Sequence, residues 1–470
     1  MLKSKKKKVF GFIVILLLTN INLWAQKKYE MTATQAVDFA LKNVTDIKNL
    51  VIDRQIQDAK NREITGQALP QVSASVSMSH YFSIPVTLLP DFISPAVYDV
   101  LIDQGVKDGN GAPIVKPTND AQFFPARFGV PWQATAGITF QQLLFQPDVF
   151  VGLQARGAAL KYAENNVKVM EDSVKSNVFR AYYSVLIAEK RLGFIKDGVK
   201  RLEKLSYDQE QMYKNGFAEK LDIEKTQVSL NNLTTTKTQL ENLITLGYAS
   251  LKFSMGLNQA DTLMLKDTLS TEAIKRDILE ATGFRYEDRN EIKVLNTVKE
   301  LQRLDLKRNQ ISYIPTVSAF WNYNRQALRQ QFDFFNFNKE WFASSVMGFN
   351  INVPLFSGLQ KVYKIKQARL NLEKTSNTIE NIQRLIDFQR EAALSQFKNA
   401  LSSLDVQERN LELAERVYNT TKKKFEQGLG SSFEILQAEG SLEDAQANLF
   451  QALYDAIVAR IGYYRSLGKL

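Results

Sequence analysis

Gly137-Ile-Thr-Phe-Gln-Gln-Leu-Leu-Phe145 alternates apolar and polar residues, and a long helical pattern follows it, broken at Tyr213-Lys-Asn-Gly216-Phe217 and ending at Met255-Gly256-Leu257. The same series returns later in the chain. Gly348-Phe-Asn-Ile-Asn-Val-Pro-Leu-Phe356 leads into a second long helical pattern, broken at Phe425-Glu-Gln-Gly428-Leu429 and ending at Leu467-Gly468. Each landmark recurs about 211 or 212 positions on, so strand, long helix, Gly turn and return helix form one unit used twice.

The segments before each unit are duplicated too, at an offset of about 245. Ile47-Lys48-x-Leu50 matches Ile292-Lys293-x-Leu295, and Pro70-x-Val72-Ser73-Ala74 matches Pro315-x-Val317-Ser318-Ala319. The resulting division is a leader at 1–25, a first repeat at 26–257, a joining segment at 258–272 and a second repeat at 273–470. Residues 31–68 read as one helix, capped by Thr32 or Thr34 and stopped at Leu69-Pro70. The first half carries an insertion within 83–130, which holds six of the chain's 11 prolines and Gly109-Asn110-Gly111, and reads as a long irregular loop.

Four segments alternate with period two. Val72, Ala74, Val76 and Met78 oppose Ser73, Ser75, Ser77 and Ser79. Ala134, Ala136, Ile138 and Phe140 oppose Gln133, Thr135, Thr139 and Gln141. Val317, Ala319, Trp321 and Tyr323 line the third strand. Met347, Phe349, Ile351 and Val353 oppose Gly348, Asn350 and Asn352 in the fourth.

The helical pattern at about 148–213 has a narrow seam, from Leu160, Ala163, Val167 and Met170 to Ile195, Val199 and Leu202, in steps of three and four. That period marks coiled-coil packing. At 1.5 Å per residue it makes a rod of roughly 100 Å, longer than any bilayer is thick. Its flanks are rich in Lys, Glu, Asn and Gln, so the rods sit in water.

The N-terminal stretch has a targeting pattern: Lys3 and Lys5 to Lys8, an apolar core from Val9 to Leu18, then Leu23-Trp24-Ala25 before Gln26. The core is too short to span a bilayer, and cleavage after Ala25 is expected. The leader holds five of 60 basic residues and no acidic ones; without it the balance is 55 basic to 50 acidic, which argues against nucleic-acid binding. With no Cys in the chain, disulfides, thiolate metal sites and a Cys nucleophile are excluded. The single histidine, His80, excludes a multi-His metal site, gives a His-based triad only weak support, and is expected near a strand end facing water. No catalytic residue, metal or cofactor is expected.

Strands with one apolar and one Ser/Thr/Asn/Gln face suit lipid on one side and water on the other. Lipid forbids open sheet edges, because unpaired backbone groups cost several kcal/mol each there. Four strands cannot close a barrel, so the chain must assemble: two copies give about eight strands, three about twelve. The competing reading is a soluble periplasmic coiled-coil scaffold or adaptor. In the membrane reading, Phe332, Phe334, Phe335, Phe337, Trp341 and Phe342 form an interfacial girdle.

Leader, duplicated helix–hairpin–coiled-coil order and Gly turns followed six residues later by a carboxylate together resemble the TolC-like outer-membrane efflux channels. The resemblance covers nearly all of the mature chain. It implies a mixed α+β homotrimer with a twelve-stranded transmembrane β-barrel, four strands per chain. This barrel continues into an antiparallel coiled-coil α-helical barrel, and 258–272 serves as an equatorial linker. It implies the outer membrane of a Gram-negative bacterium, with a large periplasmic portion. The implied partners are a periplasmic adaptor and an inner-membrane RND or ABC transporter, with no catalysis of the channel's own.

At the closed periplasmic mouth, the resemblance carries the family's Gly and gate-bonding carboxylate onto Gly216 and Asp222. In the second turn it carries the Gly onto Gly428 and the entrance carboxylate onto Glu434. Phe425 stands where a gate Tyr is found, Gly430 where a gate Arg is found, and Gln437 replaces a second Asp, so only part of the salt-bridged lock is present. Asp222 and Glu434 also fit as helix N-terminal carboxylates favoured by the dipole. Phe217, Leu221, Leu429 and Phe433 near the tips are expected to contact the adaptor or to pack within the coiled coil.

Overall fold

The computed structural model describes residues 27–117, 123–269, 271, 274, 283–336 and 338–470; the leader reading of 1–25 lies outside them. The elements begin with β1 (Lys28–Met31), α1 (Ala33–Asn43), α2 (Thr45–Gln67) and β2 (Gln71–His80). The insertion follows as β3 (Val86–Pro90), α3 (Ile93–Asp103) and β4 (Phe123–Arg127). Then come β5 (Trp132–Phe145), α4 (Pro147–Lys214), α5 (Lys220–Met255), β6 (Thr262–Leu265) and α6 (Asn290–Gln310). The chain closes with β7 (Thr316–Arg329), β8 (Phe342–Asn352), α7 (Gln360–Glu426) and α8 (Ser432–Ser466). Two compact units result: the chain up to Ala59 with Ala155–Leu306 and Lys366–Leu470, and Lys60–Gln154 with Lys307–Ile365.

The second unit is built on a four-stranded antiparallel sheet in the order β2-β5-β7-β8. The expected hairpins are therefore joined edge to edge by β5 and β7. Within this chain the sheet is open: β2 and β8 each keep one unpaired edge among the described residues. The insertion is more ordered than an irregular loop. β3 and β4 pair antiparallel, and α3 sits between them, begun by Asp91, whose Oδ1 accepts from the Ile93 and Ser94 backbone N–H groups at 3.1 and 2.9 Å.

The first unit holds the long helices. The expected single helix at 31–68 is instead two. Thr32 caps α1 in a reciprocal capping box with Gln35, and Val44 takes extended backbone angles (φ −62°, ψ 127°) that end it. The break coincides with a tertiary contact. Gly256, at φ +67°, ends α5 directly against the Asn43–Val44 peptide, where an added Cβ would lie 2.8 Å from the Asn43 carbonyl oxygen. The second half repeats the contact, with Gly468 (φ +71°) against the Asp288–Arg289 peptide at 2.7 Å. Asn43 and Asp288 are 245 positions apart, and Gly256 and Gly468 are 212 apart, the two sequence offsets.

The segment expected to join the repeats contains β6. β6 pairs in parallel with β1, and the Tyr182 hydroxyl donates to the Met31 carbonyl at 2.9 Å while accepting from the Lys266 and Asp267 N–H groups, both at 3.3 Å. Asp267 Oδ2 accepts from Ala33 N–H at 2.7 Å, at the first turn of α1. Burial holds the Tyr182 hydroxyl above its usual range, at about 12.

The seam of α4 is buried as its spacing implies: Val174, Val178, Val185, Ile195, Val199 and Leu202 are all in the core. One cluster packs α1, α4 and α5 around Val178, Tyr182, Leu251 and Met255. A second packs Ile187 with Phe397, Leu404, Leu453, Ala456 and Ile457 of α7 and α8. A third draws on all four long helices: Leu202, Leu205, Leu233, Leu240, Tyr418, Phe425, Ile435 and Leu442. Among the described residues, no helix is long and apolar enough to cross a membrane.

Candidate functional site

The register of the sheet sorts its side chains into rows. Val72, Phe140, Trp321 and Met347 are paired across the four strands, as are Ala74, Ile138, Tyr323 and Ser345. Residues directly opposite share a face, so the apolar sets read in the sequence fall on one face. Trp321 Nε1–H donates to Ser345 Oγ at 2.9 Å there. The other face carries the rows Ser73–Thr139–Asn322–Val346, Ser75–Gly137–Asn324–Ser344 and Ser77–Thr135–Gln326–Phe342. Ile138, Met347, Phe349 and Ile351 are exposed in the chain alone, although they are large and apolar.

The aromatic cluster is only partly as expected. Phe334 is 3% exposed and covers Ala134 and Ala327 at one end of the apolar face, so it packs on the sheet and does not face outward. Phe342 lies on the polar face, because it shares a row with Gln326 and has the opposite parity to Met347 and Phe349. Phe332 and Phe335 stay exposed, with rings 6.0 Å apart, and Trp341 packs against the Ala134–Ala327–Phe334 cluster. Phe337 lies outside the described residues. His80 belongs with this group. Its ring lies 4.2 Å from that of Trp132 and 4.7 Å from that of Phe82, because an even position in β2 falls on the apolar side. His80 is the last residue of β2 and is exposed in the chain alone, at the strand end where it was expected.

The two helical tips have the same geometry. Phe217 N–H reaches the Met212 carbonyl at 2.8 Å, and Leu429 N–H reaches Lys424 at 2.8 Å. Gly216 (φ +81°) and Gly428 (φ +70°) supply the left-handed residue that such a helix ending requires. Phe217 and Leu429 are 79% and 77% exposed, and Leu221 and Phe433 are exposed beside them. Asp222 and Glu434 lie in the first turns of α5 and α8, where the helix dipole favours a carboxylate. Ser431 caps α8 by accepting from Glu434 N–H at 3.2 Å, which leaves the Glu434 side chain exposed. Gln437 is also exposed, one turn on. Gly430 packs closely, since a Cβ there would lie 3.2 Å from Lys424 Cβ and 3.4 Å from Glu434 Oε2. Phe425 is 8% exposed inside the four-helix core, so it does not line an opening; its ring is too large and apolar to stay out of that seam.

Sequence reasoning missed a buried charged group in the core of the helical unit. Arg201 of α4 forks onto Glu439 of α8, with Nε at 2.9 and 3.0 Å from the two carboxylate oxygens and an Nη at 2.6 Å from Oε1. Glu439 is 2% exposed. The signal was a carboxylate set among Ile435, Ala438 and Leu442, at core spacing. Among the described residues, no group of His, Asp and Glu is arranged to hold a metal ion.

Residues 302–469 match the sequence family described as outer membrane efflux protein. The chain is 22% identical over 341 residues to outer membrane protein TolC of Vibrio cholerae, covering 72% of this chain and 77% of that protein. It is 20% identical over 337 residues to alkaline protease secretion protein AprF of Pseudomonas aeruginosa, covering 70% and 68%. The crystal structure of the Campylobacter jejuni CmeC outer membrane channel superposes with a TM-score of 0.71 at 15% identity, covering 93% of this chain and 85% of that one. In sequence over residues 302–469, and in fold over 93% of its length, this chain is similar to the outer-membrane efflux channels.

Proposed function

We propose that this chain is the outer-membrane exit duct of a tripartite efflux or type I secretion system. It would passively conduct small molecules or exported polypeptides from a periplasmic adaptor and an inner-membrane RND or ABC transporter to the exterior. The observation that carries this is the open four-stranded sheet, apolar on one face, lined by Ser, Thr, Asn and Gln on the other, with the outer edges of β2 and β8 unpaired among the described residues. In lipid such edges must close on other copies, and three copies give a twelve-stranded barrel within the size range of membrane barrels. The matched glycine contacts at Asn43 and Asp288 support two repeats that share one architecture. The long helices of each copy then supply a coiled-coil α-barrel.

In this reading Asp222, Glu434 and Gln437 line the periplasmic mouth, where converging carboxylates repel one another and attract cations. Gly216, Phe217, Leu221, Gly428, Leu429, Gly430 and Phe433 form the tips offered to the adaptor. Phe332, Phe335 and Trp341 sit at the lipid interface. The matched family is one of channels, and the duct's work is positional and electrostatic.

Electron microscopy of the detergent-extracted particle, together with its mass by light scattering, tests the proposal. A hollow cylinder of three chains is expected. Monomer mass, or partition into the aqueous fraction after lysis, favours a soluble periplasmic scaffold and sinks the duct.

A further inference from the structure

The contact that joins the two helical hairpins lies away from the tips, within the core of the helical unit. Arg201 stands on α4, and Glu439 and Glu443 stand one helical turn apart on α8. The guanidinium fork onto Glu439 is the arrangement in which arginine binds a carboxylate most firmly. Gly198, one turn before Arg201, leaves the room: a Cβ there would come within 3.0 Å of Leu233 Cδ2, 3.4 Å of the Arg201 Nη2 and 3.6 Å of Glu439 Oε1. The Tyr418 ring of α7 lies 5.5 Å from the Arg201 guanidinium carbon and covers the pair. All four helices therefore meet at this charge.

Glu443 is the odd member. Its Oε1 is buried and has no hydrogen-bond partner among the described residues. Burial, with the Glu439 carboxylate close by, pushes its carboxyl up to about 7, while Arg201 pulls the other way. Every element around it contributes. α4 brings Arg201: burial alone would lower its value, but Glu439, Tyr418 and Glu443 together hold it above the ordinary one. α7 brings Tyr418, raised to about 12 by burial, with Glu426 acting on that tyrosine from further along the helix. α8 brings Glu439 and Asp444. α5 brings the apolar Leu233.

We propose that Arg201, Glu439 and Glu443 form a proton-set tie that positions the α4–α5 hairpin against the α7–α8 hairpin, held when Glu443 carries a proton and loosened when it does not. The tie rests on the duct reading only for its consequence, which is control of how far the helical tips separate. A carboxyl whose value is raised in the packed state favours that state at low pH. The preference is full below the ordinary carboxylate value and is lost as pH rises through about 7. Above that range two carboxylates in a poorly hydrated seam share one guanidinium. Because Glu443 is only partly buried, solvent screening reduces the effect, and the ratio of tied to loosened states should fall about tenfold from pH 5 to pH 8.

The natural absence of cysteine makes the test clean. Spin labels on Phe217→Cys and Leu429→Cys, diluted with unlabelled protein so that only pairs within one chain are read, report the tip separation in the detergent-purified full chain. A narrow distance distribution at pH 5 that broadens by pH 8 is expected. In Glu443→Gln, which keeps the shape and removes the charge, the narrow distribution should persist at both. Glu439→Gln, which leaves Arg201 without its carboxylate, should broaden it at both. A distribution indifferent to pH in the unsubstituted background, or one that still responds in Glu443→Gln, overturns the proposal. Planar-bilayer conductance of the same preparations separates the two ideas. A pH-dependent separation without conductance sinks the duct and leaves the tie standing.

Discussion

Four glycines at left-handed positions end four long helices, and the structure assigns them different burdens. Gly216 and Gly428 have open space where a Cβ would be, whereas Gly256 and Gly468 press on the backbone of another segment at 2.8 and 2.7 Å. Replacing any of them by alanine imposes the left-handed penalty, about 1–2 kcal/mol. At Gly256 and Gly468 the methyl group also meets peptide atoms that cannot rotate aside, which adds about 1–3 kcal/mol of overpacking. Gly216→Ala and Gly428→Ala should therefore cost about 1–2 kcal/mol, and Gly256→Ala and Gly468→Ala about 2–5 kcal/mol. For a unit of this size that separates a fall in Tm of roughly 3 °C from one of roughly 10 °C. Thermal scans of the purified protein at one fixed rate make the comparison, because unfolding of such a protein is governed by rate. The reasoning is refuted if Gly216→Ala lowers the transition as much as Gly256→Ala. It is equally refuted if Gly256→Ala and Gly468→Ala differ widely, since the two contacts have the same geometry.

Two further perturbations address the duct. Ile138→Arg and Phe349→Arg each put a charge on the apolar face and should cost about 2–4 kcal/mol of membrane stability near the bilayer midplane. Ser75→Arg, on the opposite face, should assemble normally; recovery of folded protein in the outer-membrane fraction reads the difference, and equal loss from both faces would contradict the assignment. Glu434→Ala should weaken cation preference, measured as reversal potential under a salt gradient in planar bilayers; an unchanged potential would remove Glu434 from the mouth.

The chain's local periods determined most of its elements. A period of two marks β2, β5, β7 and β8, and steps of three and four mark the seam of α4, because a strand or helix beside a boundary shows that boundary in its own residues. The repeated glycine landmarks fixed both tips, and the match is backbone-deep: each tip closes with the same pair of hydrogen bonds. What only tertiary structure decided are contacts between distant residues. Gly256 packs on the break at Val44, the pairing of β1 with β6 spans 234 positions from Lys28 to Thr262, and Arg201 finds Glu439 across 238. Phe334, Phe342 and Phe425 read alike as large aromatics in tip or loop segments, yet one covers two alanines, one lies on the polar face and one fills a helical core. Periodicity reports that a side chain has an apolar neighbourhood; which neighbour fills it is set by how separate stretches of chain come together, and no window of sequence contains that.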